Sequence, residues 1–129
     1  MSQTEKIFSW ILKGGLLLTP FLVFIVTRSL YFPFITGKNF VFRILIEILA
    51  VIWVYAALRF ERFRPRFSWL IAAVVAFIAV MGLAVIFSLS PYRSFWSNFE
   101  RMEGYIGLLH LLVYFLILGS VFAGERDWR

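Results

Sequence analysis

The run "FSWLIAAVVAFIAVMGLAVIFSLSPY", residues 67–92, sets the terms for the whole chain. It holds 26 residues without a formal charge, bounded by Arg66 and Arg93. As a helix it extends about 39 Å, more than the roughly 30 Å of hydrocarbon in a bilayer. It carries no polar face with which to cover a water-soluble core. Composition agrees: 62% of the 129 residues are hydrophobic and 16% are charged, against about 45–50% apolar in a soluble domain. Lipid is the solvent that such a chain requires.

Three further segments have the length and apolarity of a span, giving candidates at about 7–27, 40–60, 67–89 and 104–123. The first contains Lys13, whose ammonium is expected to snorkel to an interface, and Pro20, which is expected to kink the helix. Lys6 is a weak positive start, but no small-x-small cleavage site follows, so the segment reads as a retained anchor. Breakers punctuate the connections: Pro33 and Gly37, then Pro65, then Pro91. The expected fold is an all-α, polytopic membrane bundle of four helices, up-down-up-down.

Basic residues set the orientation. With a cytoplasmic N-terminus, Lys6, Lys13, Arg59, Arg62, Arg64, Arg66, Arg126 and Arg129 lie inside, and Arg28, Lys38, Arg43, Arg93 and Arg101 outside. The turn "RFERFRPR", 59–66, carries four arginines and one glutamate and favours the cytoplasm. Both termini are then cytoplasmic. Trp10, Trp69 and Trp128 fall near the inner interface and Trp96 near the outer one.

The connection "SPYRSFWSNFERMEGY", 90–105, mixes rings with charges. Read as a helix over 91–103, with Ser90 as N-cap and Pro91 in the first turn, it gathers Tyr92, Phe95, Trp96, Phe99 and Met102 on one stripe. Arg93, Ser97, Glu100 and Arg101 fall elsewhere, Glu103 sits awkwardly near the stripe, and Gly104 is a plausible stop. Such a helix lies flat in the outer interface. Its charges either keep the upper face wet or, through Arg93 and Arg101, meet an anionic headgroup, since guanidinium matches phosphate oxygens in pairs.

Three ionisable residues fall inside the spans. Arg43 and Glu47 are four apart and share a face of the second helix. They form either a functional pair or a structural clasp. His110 lies in the fourth span, and as the only histidine it cannot assemble a metal site, so an interhelical hydrogen bond is its expected role. There is no cysteine, which excludes disulfides and thiolate metal sites. The glycines form no nucleotide fingerprint or nucleophile elbow. The net charge of +6 is spread along span flanks rather than gathered in a basic domain, which argues against nucleic acid. No span carries a regular polar stripe of the kind a channel uses.

Three segments resemble a known family: "LYFPFITGKNFVFRILIEI", "SPYRSFWSNFERMEGYIGLLHLLVYFLILGSVF" and the closing "ERDWR". Together they look like the N-terminal part of bacterial O-antigen ligase-like membrane proteins, over about residues 25–129. The resemblance implies a glycosyltransferase of the bacterial inner membrane. Such an enzyme takes a glycan from a polyprenyl-pyrophosphate carrier on the periplasmic side, with no cofactor, nucleotide sugar or metal. It further implies essential arginines and a histidine in a large downstream loop that four spans do not include. No catalytic residue therefore carries over, and the chain is expected to be an inactive N-terminal fragment that packs against the remaining helices of a longer protein. Arg93, Trp96, Glu100, Arg101 and Glu103 are the candidates for lining the outer, substrate-facing surface. The rival reading is a complete, small, non-catalytic four-helix scaffold or interaction protein.

Overall fold

The computed structural model describes residues 2–26, 28, 35–98 and 103–122, and every regular element among them is helical. Helix α1 spans Gln3–Leu18 and continues as a 3-10 segment, Thr19–Phe24. Helix α2 spans Thr36–Arg59, α3 Trp69–Ile86, α4 Pro91–Trp96 and α5 Tyr105–Val121, with a 3-10 turn at Glu61–Phe63.

The first helix starts earlier than the apolar pattern indicates. Ser2 accepts from the Glu5 amide at 3.2 Å, and the Glu5 carboxylate accepts from the Ser2 amide at 2.8 Å. This reciprocal capping satisfies two of the amides that a helix start leaves open. The effect of Pro20 is also explicit. It has no N–H to give the Leu16 carbonyl, so the helix tightens to 3-10 geometry at Thr19. The Thr19 hydroxyl donates to that carbonyl at 2.7 Å. Lys13 does more than reach for an interface: its Nζ lies 5.4 Å from the ring centroid of Phe122, the C-cap of α5. Both the ring face and the helix C-terminus favour a cation there.

Helix α5 is the hub, touching α1, α2, α3 and α4. Phe8 meets Tyr55 and Phe60, so α1 and α2 run antiparallel. Lys13 against Phe122 and Thr19 against Tyr114 make α1 and α5 antiparallel as well. The core gathers Leu12, Leu16, Ile46, Leu49, Ala56, Ile117 and Val121. It also includes Phe63, which the sequence places in a basic surface turn. The turn folds under the bundle because the Trp53 indole donates to the Phe63 carbonyl at 3.0 Å and Arg64 Nε caps the Ala57 carbonyl at 3.1 Å.

Three helices are long and apolar enough to cross a membrane: Gln3–Phe24, Thr36–Arg59 and Trp69–Ile86. The fourth, α5, has 17 residues, about 25 Å, and is shorter than the expected 104–123 within the described residues. Helix α3 is the most apolar and the least covered. Ile78 is its only buried residue, and Trp69 and Phe87 are each 84% exposed. Water does not tolerate that much open apolar surface on a monomer, which is the structural argument for a membrane protein.

The interfacial helix is shorter than 91–103. Helix α4 ends at Trp96 because Ser97 takes φ 62°, ψ −160°, a backbone region that ends helical progression. Ser90 stands at the N-cap position without a side-chain cap bond. In a straight helix, residues 95 and 104 would lie about 13 Å apart. Instead a Cβ on Gly104 would collide with the Phe95 carbonyl, so the chain doubles back. Of the expected ring stripe, Phe95 packs on Tyr105 and Trp96, whereas Tyr92 is exposed. Phe99 and Met102 lie outside the described residues.

Candidate functional site

The starts of α2 and α5 lie side by side and leave a cleft of about 430 Å³. Its apolar wall comes from Phe42, Leu108 and Leu111, and Gly104 and Gly107 keep the α5 side low. Its polar groups are Asn39, Arg43 and Glu103. Asn39, Arg43 and Glu47 recur every four residues, so one face of α2 carries all three.

The Glu47 carboxylate turns to α5: its Oε1 lies 3.2 Å from His110 Nε2. The imidazole is 11% exposed and Glu47 67%. The other ring nitrogen, Nδ1, lies 2.7 Å from the Ile106 carbonyl. A carbonyl oxygen only accepts, so Nδ1 carries a proton and Nε2 is the nitrogen facing Glu47. The interhelical role expected of His110 is thus what the geometry gives it. Arg43 stays within electrostatic reach of Glu47, but the carboxylate's short contact is to the histidine. A small cavity of about 110 Å³ adjoins the pair, bounded by Ile46, Ala50 and Val113.

A second cavity, about 290 Å³, lies across α5 between α3 and α4, with Ser94 and Tyr105 on its wall. Glu103 and Gly104 border both cavities. Ser94 donates to the Ser88 hydroxyl at 3.0 Å, which ties α4 to the end of α3.

The structure divides the residues nominated from sequence. It brings Arg43, Glu47, His110 and Glu103 to the α2–α5 junction. Arg93 is exposed on α4 and borders neither cavity, and Trp96 is 43% exposed, edge-on to Phe95. Glu100 and Arg101 lie outside the described residues. Sequence reasoning passed over Asn39, although its four-residue spacing from Arg43 was a usable signal. It also passed over Tyr105, for which no local pattern exists.

Chemically, an arginine at the mouth of an apolar cleft suits an amphiphile with an anionic head and a hydrocarbon tail. Guanidinium supplies paired donors to phosphate oxygens, and the leucine and phenylalanine wall accepts the chain. No metal-holding group of three or more His, Asp or Glu occurs among the described residues.

No protein-family model matches the chain, and neither does any curated protein or solved structure.

Proposed function

We propose that this chain is the N-terminal membrane module of an O-antigen ligase-like glycosyltransferase of the bacterial inner membrane, and that the α2–α5 cleft seats the head of a polyprenyl-pyrophosphate carrier. The observation that carries the reading is Arg43, an arginine two turns into an apolar helix, bordering a cleft whose other walls are mostly hydrocarbon. In this reading α1, α2, α3 and α5 all cross the membrane, the arginine-rich 59–66 turn and both termini face the cytoplasm, and α4 rests in the periplasmic interface. The short α5 is accommodated by local thinning of the bilayer or by its central place among the other helices. The carrier is held here, while the groups that act on the acceptor hydroxyl belong to other segments of the enzyme. The three sequence segments that resemble the family support this reading from the other direction.

The test is binding of farnesyl pyrophosphate, a short polyprenyl pyrophosphate, to the purified chain in lipid nanodiscs. Charge-assisted hydrogen bonds contribute about 1.5–3 kcal/mol each, so Arg43→Ala is expected to weaken binding by about ten- to a hundredfold, with farnesol binding unchanged. If farnesyl pyrophosphate does not bind, or binds equally to the alanine variant, the carrier-seat reading is wrong. The non-catalytic scaffold then becomes the better account. It draws support from α3, whose nearly uncovered surface suits packing against further helices.

A further inference from the structure

We propose that His110 is a positioning residue that sets the charge of the cleft by holding Glu47 away from Arg43. The inference rests on the anion seat proposed above and assigns its regulation to a contact outside the cleft wall.

Arg43 and Glu47 are one turn apart on the same face of α2, and side chains of that length at that spacing ordinarily meet. In a hydrocarbon surround their attraction is weakly screened, and a carboxylate on Arg43 would compete directly with a phosphate. The structure shows a different partner. Glu47 Oε1 sits 3.2 Å from His110 Nε2, and the ring is fixed from behind by its Nδ1–H bond to the Ile106 carbonyl at 2.7 Å. Two lone pairs cannot face each other at that distance, so one proton lies between Nε2 and Oε1. Whichever atom carries it, the Glu47–His110 pair is neutral as a whole. The Arg43 charge is then what this part of the junction presents to a ligand.

The other charged groups around the pair do not duplicate the role. Glu103 stands at the cleft mouth on the α5 side. Lys13 of α1 lies at the opposite end of α5, beside Phe122. Helix α3 contributes no charged residue. Only Glu47 lies one turn from Arg43, and only His110 holds it.

The experiment is a double-mutant cycle read by farnesyl pyrophosphate binding in nanodiscs. His110→Ala releases Glu47 toward Arg43 and is expected to weaken binding by about tenfold. Adding Glu47→Gln to that variant removes the competing charge and is expected to restore binding to within about threefold of the parent. A merely structural role for His110 predicts the reverse, because the second substitution removes more of the α2–α5 contact. If His110→Ala binds like the parent, or the double variant stays as weak as the single one, the proposal is overturned while the anion seat stands. If the parent itself does not bind, the anion seat has failed first. Should His110→Ala fail to fold, nitrogen-15 spectra of the His110 ring decide. A proton on Nδ1 and an Nε2 resonance moved by Glu47→Gln are expected, and an Nε2 indifferent to that change rejects the contact.

Discussion

Tyr105, the first residue of α5, donates its hydroxyl to the Ile78 carbonyl of α3 at 2.9 Å, crossing directly over Gly82. This single bond ties the least covered helix to the hub. It is possible because position 82 has no Cβ: one built there would lie 2.7 Å from the tyrosine hydroxyl. Gly82→Ala is therefore expected to destabilise the bundle by about 1–3 kcal/mol and Tyr105→Phe by about 1 kcal/mol. The two should be less than additive, since phenylalanine removes the atom that the new methyl meets. Thermal unfolding in detergent checks all three variants.

The neighbouring glycines of α1 offer a sharper contrast. A Cβ on Gly15 would overlap the Leu49 side chain of α2, whereas one on Gly14 meets nothing within 4 Å. Gly15→Ala should cost about 1–3 kcal/mol. Gly14→Ala should be neutral or stabilising by up to about 1 kcal/mol through helix propensity. Equal unfolding temperatures for the two variants would contradict the α1–α2 packing described here.

The reversal between α4 and α5 makes its own demand. At Gly104 the obstructing atoms are backbone, the Phe95 carbonyl and the Ser97 amide, and cannot swing aside. Gly104→Ala should open the reversal and raise the acrylamide quenching of Trp96 fluorescence. In contrast, Ser97→Gly relieves an unfavourable backbone conformation at φ 62° and should stabilise by about 1 kcal/mol or more. A destabilised glycine variant would show that the turn does not hold that conformation.

Orientation can be read with two single cysteines in a chain that has none. Glu61 is 89% exposed in the arginine-rich turn, and Tyr92 is exposed on α4. In intact spheroplasts an impermeant maleimide should label Tyr92→Cys and leave Glu61→Cys untouched until the membrane is opened. The opposite pattern would invert the topology. Phe63, in the same turn as Glu61, is unsuitable as a probe because its ring is buried in the core.

Much of this architecture was legible in residue order alone. Apolar runs, prolines and arginines are local signals, and their sums locate the helices, the breaks and the arginine-rich turn to within a few residues. The capping signature at Ser2 and Glu5 and the Asn39–Arg43–Glu47 spacing were equally local, and equally readable. What residue order could not reveal are relations between distant positions. Glu47 and His110 are 63 residues apart and Tyr105 and Ile78 are 27 apart. The sequence "GG" at 14–15 does not say which glycine faces Leu49, nor does "RFERFRPR" say that Phe63 turns inward. Hydropathy determined that these segments leave water, because transfer to lipid adds up residue by residue. Which faces then meet was decided only by the tertiary structure, because close packing depends on shape and register between helices that the chain brings together late.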